Sequence, residues 1–335
     1  MKYVLNETPI RTSNNFKIND FIVDLDINKT NFNKYDITNV EYNESIKNNF
    51  DSKIGLKDDK YLNIDIDIKE NKDKIFLNYE FDDNNYLVSQ ININLLKNTT
   101  SNFVILYKSK NDAFNNSKIV INASDNSKSN ISIINLLSNN SKSFISIENV
   151  EKDNADININ FIDLGGNLKI SNYYGKLDGI NSKNNFNNIY MGINEDKIDM
   201  NFYLSNNNKN TIGNILSNGS LDNNSIKAFK GTIDFIEGCS KSIGEENENC
   251  ILLSDTCISR SLPMLLCHEE DVQGAHGVST GKIDESKLFY LMSKGISEKA
   301  AKKLIINANF NDIINEISNE EIKQLVIEEI DKKLN

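Results

Sequence analysis

A mainly β chain of short stacked strands is what this sequence predicts, and three observations carry the prediction. Apolar residues alternate with period two from about residue 60: Ile64, Ile66 and Ile68, then Ile75, Leu77 and Tyr79, then Ile91, Ile93 and Leu95. The same alternation returns around Val104, Ile119, Ile131, Ile145, Ile157 and Ile170, with strand starts roughly 11 to 16 residues apart and no helical period between them. Asparagine crowds the polar turns: 52 of 58 lie in the first 250 residues and none falls between 251 and 300, so the chain changes character near residue 250. Side chains that alternate across strands, joined by polar turns at quasi-regular intervals, suit a β-solenoid or a β-sandwich. The number of strands, the fitness of Asn for left-handed turns and for ladders between coils, and the near absence of Pro favour the solenoid.

The elements follow in order. Residues 1–58 form a small N-terminal region in which IVDLDIN alternates as a strand would and YNESIKNNFDSKIG fits a short amphipathic helix. Residues 59–283 are the strand-rich body. After 283 the period becomes helical, giving a terminal module over 284–335. Asp284 caps a helix carrying Leu288, Phe289, Leu291 and Met292, and Gly295 supplies its left-handed stop. Ser297 caps a second helix with Ala300, Ala301, Leu304, Ile305 and Ala308 on one face. Ser318-x-x-Glu321 reads as a capping box opening a third. Such a module is expected to cover an open end of the solenoid.

Bulk properties remove several function classes. With 335 residues the chain is long enough for about two domains, and 39% apolar with 25% charged residues predicts a packed core. A net charge of -11 argues against nucleic acid and against an anionic membrane surface. The N-terminus MKYVLNETPIRTSNNF has no apolar leader region, and no stretch approaches the roughly 20 apolar residues of a membrane span, so a cytoplasmic protein is expected. The four cysteines, Cys239, Cys250, Cys257 and Cys267, form no C-x-x-C pair; buried thiols are expected rather than a structural zinc. No GxGxxG or GxxxxGK[ST] loop is present, so ATP, if used, is bound by a partner. No nucleophile–base pair stands out, and a non-enzymatic role is expected.

The residues with ligand chemistry sit late. His268 and His276 flank Glu269, Glu270 and Asp271, and imidazole with carboxylate suits a divalent first-row metal, although the spacing is not HExxH. The plain alternatives are a histidine hydrogen-bonded in a turn beside Gly277 and a solvated acidic turn. Cys267, in the alternating run Met264 to His268, reads as a core residue.

Five ordered blocks carry a family resemblance: AFKGTIDFIEGCSKSIGEENENCILLSD, SLPMLL, EDVQGAHGVSTGKID, LFYLMSKGIS and EKAAKKLII, between Ala228 and Ile306. They resemble the C-terminal core of the SufB/SufD family of iron–sulfur cluster assembly proteins. His276-Gly277 followed by Gly281-Lys282-Ile283-Asp284 looks closer to SufD, since SufB members place a glutamate where Gly277 stands. The resemblance implies a right-handed parallel β-helix with helical flanks, pairing with a SufB-type subunit, docking of the ABC-type ATPase SufC, and an indirect link to a cysteine desulfurase. It implies a transient iron or cluster at the subunit interface, with His276 as a ligand or interface residue and Asp271, Gly277 and Gly281 as structural motif positions. Leu288, Phe289, Tyr290, Met292, Gly295 and Ile296 are implied to dock the ATPase.

Three departures qualify the resemblance. The chain is short. Gly274 stands where many SufD members carry a cysteine, which Cys267 would replace if it faced the partner. No cysteine precedes Cys239 to serve as a sulfur acceptor in the strand body. The alternatives are a short SufB-like subunit that pairs with itself in a minimal complex with the ATPase, a carbohydrate-acting solenoid, and a purely structural one.

Overall fold

The computed structural model describes residues 2–11, 17–25, 35–81 and 85–335. Two short strands, β1 (Lys2–Leu5) and β2 (Phe21–Asp24), pair antiparallel, followed by β3 (Tyr35–Thr38) and β4 (Asn43–Phe50). Sixteen strands then wind as a parallel solenoid of about eight turns. They are β5 (Asp58–Ile68), β6 (Lys72–Phe81), β7 (Asn85–Leu95), β8 (Thr100–Ser109), β9 (Ala113–Ala123), β10 (Lys128–Leu136), β11 (Lys142–Glu151) and β12 (Asp156–Asp163), then β13 (Leu168–Leu177), β14 (Lys183–Gly192), β15 (Lys197–Asn206), β16 (Ile212–Leu221), β17 (Ile226–Phe235), β18 (Ile243–Leu252), β19 (Ile258–Cys267) and β20 (Gln273–Lys282). Even-numbered strands stack into one sheet and odd-numbered strands into the other, so each turn contributes one strand to each. Helices α1 (Glu285–Ser293), α2 (Glu298–Asn315) and α3 (Glu320–Lys333) complete the chain.

The turns explain the asparagine excess. Asn98, Asn126, Asn154 and Asn181 occupy equivalent turns with φ between 56° and 62°, the left-handed region that Asn tolerates better than most residues. Their side chains form a ladder: Asn126 Nδ2 donates to Asn98 Oδ1 at 2.9 Å, and Asn154 to Asn126 and Asn181 to Asn154 at 3.1 Å each. Alternate residues of both sheets point inward and fill the space between them, including the stacked Tyr79–Tyr107 pair and the Phe186–Phe202–Phe229 series.

Both outer faces carry a second apolar layer. On the odd sheet, Tyr86, Val88, Phe114, Phe144, Leu168 and Ile170 are covered by Leu5, Leu25, Phe50, Ile54 and Leu56. On the even sheet, Val104, Leu106, Ile134, Leu136, Ile162, Leu164, Ile189 and Met191 are covered by α2 and α3 through Ile306, Phe310, Ile313, Ile322, Val326 and Ile330.

The structure corrects several sequence expectations. Within YNESIKNNFDSKIG, residues 43–50 are strand β4 rather than helix, because the segment pairs antiparallel with β5, Asn43 opposite Asp65 and Phe50 opposite Asp58. Of IVDLDIN, residues 22–24 lie in β2 and 26–28 fall outside the described residues. The helices do not close an end: α2 and α3 lie along the side of the even sheet, drawn by its apolar outer stripe. The first turn of the solenoid is instead finished by β3, antiparallel to β6, and by β4. Asp284 and Ser297 cap α1 and α2 as expected, and Gly295 has φ +88°. For α3 the cap is Asn319, whose Oδ1 accepts from Ile322 N at 3.1 Å, so the Ser318 capping box is displaced by one residue.

A buried charge cluster fastens the end of α3. The Lys333 side chain is almost fully covered and donates to Asn139 Oδ1 at 3.3 Å. Beneath it Lys169 bridges to Asp196 at 3.0 Å, and burial raises the Asp163 carboxyl to about 6. Burial, and then the charge of Lys169, lowers Lys333 from 10.5 to about 8 against the opposing pull of Glu329 and Asp196. Such a lysine binds fewer protons folded than unfolded between these values, so the stability it contributes rises with pH across that window. The difference in urea midpoint between wild type and Lys333→Met should therefore shift in favour of wild type between pH about 8 and 10.5. A constant difference across that range would refute the assignment.

Candidate functional site at the open end of the solenoid

β19 and β20 are the last strands of the two sheets. Each is hydrogen-bonded on one side only, β19 to β17 and β20 to β18. Neither has a buried residue. An edge of this kind presents a row of unpaired N–H and C=O groups, a template for a further strand. Side chains that would point into the core one turn earlier here point at an uncovered mouth. Val278, in register with the buried Glu248, is 39% exposed.

Just inside the mouth the core turns polar. On β18, Glu246, Glu248 and Cys250 alternate inward while Glu245 and Asn247 face out. Lys227 on β17 donates to Glu248 Oε1, and both side chains are fully buried. Glu248 also accepts from Tyr190 OH at 2.8 Å and from Ser261 Oγ at 2.6 Å, so the pair is hydrogen-bonded on several sides. Glu246 is different: it is buried and neither oxygen has a partner among the described residues. Burial first, and then the charge of Glu248, push its carboxyl up to about 8 against the opposing pull of Lys227. Burial also raises the Cys250 thiol.

Three consecutive residues of β17 do three jobs because they alternate. Phe229 packs inside, and Gly231 leaves room for the Glu246 carboxyl, since a Cβ there would lie 2.5 Å from its Cδ. Lys230 points outward and ties down the N-terminal strap, donating to Asn6 O at 2.8 Å and Asp199 Oδ1 at 2.6 Å, while Asn6 Nδ2 reaches the same carboxylate at 2.6 Å.

The residues singled out from sequence divide between two faces. His276 lies on β20 in register with Glu246, in the inward-pointing column, and is exposed; it is in a strand rather than a turn. Cys267 is exposed, against the expectation of core burial, because β19 has no strand above it; its neighbour in register is the core residue Phe235. Of the other thiols, Cys239 and Cys250 are buried and Cys257 is half-buried. His268 falls on the opposite face, its Nε2 3.8 Å from Asp234 Oδ1. Glu269 organises the adjacent turn, accepting from Gly238 N and Glu270 N at 3.0 Å, and the first of these bonds leads in lowering its pKa. Asp271 joins the turn through its backbone, accepting from Lys241 N.

Among the described residues, no three His, Cys, Asp or Glu side chains converge on one point where a metal ion would fit. Gly274 is tightly placed: a Cβ would stand 3.0 Å from Leu265 and Phe235 side-chain atoms. Gly277 sits close to Asn247, while space beside Gly281 is open.

Beyond the mouth, α1 has no buried residue. Phe289 is 75%, Tyr290 60% and Met292 44% exposed, whereas Leu288 and Ile296 are half-buried. An open apolar hollow of about 590 Å³ lies between α1 and α2, lined by Tyr290, Leu291, Leu304, Ile305 and Ala308.

A solenoid ending in this arrangement matches a known family. The family model described as SUF system FeS cluster assembly, SufBD core domain, matches residues 79–309. This chain belongs to the SufBD family. It is 31% identical over 122 residues to the iron-sulfur cluster assembly protein SufD of Bacillus subtilis, covering 36% of this chain and 28% of that protein. With SufD of Escherichia coli it shares 27% identity over 171 residues, 51% of this chain and 40% of that protein. An iron-sulfur cluster assembly SufBD family protein of Mycobacterium leprae is 33% identical over 91 residues, 27% of this chain and 23% of that protein. The chain thus spans less than half the length of each of these three relatives. Among the described residues no helix is long and apolar enough to cross a membrane.

The residues singled out from sequence do not include Lys227, Glu246 or Glu248, although the GEENENC segment lies inside the first family block. Its period-two pattern was the signal: it places Glu246, Glu248 and Cys250 on one face. Because removing one member of a buried ion pair strands the other, Lys227→Met should cost about 3–5 kcal/mol. The double variant Lys227→Met/Glu248→Leu should recover much of that loss in a guanidinium titration. Equal stability of Lys227→Met and wild type would refute the pairing.

Proposed function

We propose that this chain is a non-catalytic, SufD-like scaffold subunit of a cytoplasmic iron–sulfur cluster assembly complex. In this reading it pairs through β19 and β20 with a SufB-like subunit and docks an ABC-type ATPase on α1 and the α1–α2 hollow. The observation that carries the reading is the concurrence, at one end, of two strand edges unpaired among the described residues and a helix whose aromatic face none of them covers. Edge strands gain backbone hydrogen bonds from a second solenoid end, and an exposed Phe, Tyr and Met face suits a partner groove. Iron or a nascent cluster is cargo met at the interface. His276 and Cys267 offer an imidazole and a thiol there, with His268 turned to the flank. A cysteine desulfurase supplies sulfur indirectly, and ATP is bound and hydrolysed by the partner.

The partnered end also accounts for the incomplete ligand set: ligands from a second subunit would complete it. Asp271, Gly277 and Gly281 then serve to shape the last turn. Family membership leaves a carbohydrate-acting or purely adhesive solenoid without support. The SufB-like self-pair in a minimal complex remains the second reading, because two copies of the same exposed edges can also abut.

Co-expression with an ABC-type ATPase and a SufB-like subunit, followed by native mass measurement, distinguishes the readings: a hetero-pair supports the SufD-like role, and a self-pair with the ATPase supports the minimal complex. Absence of both sinks the proposal. Phe289→Ala and Tyr290→Ala should each reduce ATPase recovered in a pulldown by roughly tenfold, the effect of losing a buried aromatic anchor; wild-type recovery in both would remove α1 from the interface. Anaerobic iron analysis of the complex should show a loss in His276→Ala. Unchanged iron in Cys267→Ser would exclude the thiol.

A further inference from the structure

Glu246 presents a problem that the described residues do not solve. Its side chain is fully buried near the mouth, yet among those residues neither carboxyl oxygen has a hydrogen-bond partner. Neighbouring Glu248 shows what a satisfied carboxylate looks like here, engaged by Lys227, Tyr190 and Ser261. The niche is nevertheless built for this group, because Gly231 leaves the space its Cδ and Oε1 occupy; an added Cβ would stand 2.5 and 2.7 Å from them. Buried polar atoms without partners are rare because their lost hydration is not repaid.

The next residue in register, one strand nearer the open end, is His276. Residues in register on adjacent strands stand about 4.8 Å apart and point to the same side of the sheet, so the imidazole and the carboxyl belong to one inward column. We propose that the His276 imidazole is the missing partner of Glu246: one ring N–H donates to the carboxyl, and the other ring nitrogen is left as a lone pair facing the open end. Glu246 is then a positioning residue. It fixes the tautomer and aim of His276 before any metal arrives, as carboxylates behind metal-bound histidines do. The proposal rests on the reading of the open end as the place where iron or a cluster is met, and it assigns a task to a buried group that the reading otherwise leaves idle.

The chain has only two histidines, so the test is spectroscopically simple. Full-length protein labelled with 15N at histidine is examined by long-range proton–nitrogen correlation at one fixed alkaline pH, with His268→Asn to assign the rings. His276 should show one protonated and one unprotonated nitrogen, the pattern of a single tautomer. Glu246→Gln, which keeps an acceptor oxygen, should retain that pattern, whereas Glu246→Leu should collapse it to the averaged pattern of a free ring, with His268 unchanged in both. An averaged His276 in wild type, which would mean that only water satisfies Glu246, overturns the proposal; so does a locked ring in Glu246→Leu. If Glu246→Leu does not fold, the wild-type and Glu246→Gln spectra decide by themselves. Ferrous iron bound to the assembled complex tests the underlying reading separately, with Glu246→Leu expected to bind about 10- to 100-fold more weakly. A locked ring with iron unaffected by His276→Ala would remove the ligand role and leave the hydrogen bond standing.

Discussion

Stacking in register is the constraint on which this molecule depends. Each inward residue is followed 26 to 32 residues later by another inward residue on the next strand of the same sheet, as in Ile147 opposite Tyr173 and Ile233 opposite Leu265. A slip of one residue would turn a whole strand inside out. The turns hold the count: a left-handed Asn at a fixed place in successive turns, hydrogen-bonded to the Asn below, makes each coil repeat the bend of the last. The parallel ladders, the interior stripe and the two outer apolar stripes all follow from that repetition.

What was legible in the sequence was what repeats or what is local. Period-two alternation through Ile64, Ile91 and Ile131 exposed the strands, and Asp284, Ser297 and Gly295 marked helix ends through chemistry confined to one turn. What depends on distant pairing was not legible. The YNESIKNNF segment has a respectable helical pattern, and only the free edge of β5 makes it a strand. The side-on placement of α2 and α3 needed the knowledge that Leu106, Ile134, Ile162 and Ile189 stack into one outer stripe. Cys267 alternates like a core residue, and its exposure reflects only the absence of another strand above β19.

The candidate site divides in the same way. The histidine motif, the acidic turn and the aromatic helix were visible as blocks of sequence. The groups behind them were not, because charged residues in a strand pattern are ordinarily assigned to the solvent face. Lys227 and Glu248 violate that expectation and survive it by pairing inside, a specific arrangement that burial makes intolerant of partial loss. The consecutive Phe229, Lys230 and Gly231 show how one short motif serves the core, the N-terminal strap and the site at once, through nothing more than strand alternation.

The helical layer has a mechanical consequence. α1 leaves the last strand, but α2 and α3 double back and seat Phe310, Ile313, Val326 and Ile330 against strands several turns earlier, with Lys333 fastened near Asp163 and Lys169. A tug on α1 is therefore shared between the last strand, to which Ile283 and Asp284 join it, and the middle turns on which α2 and α3 are seated. The layer works as a strut that braces the uncovered last turn against the covered middle of the solenoid.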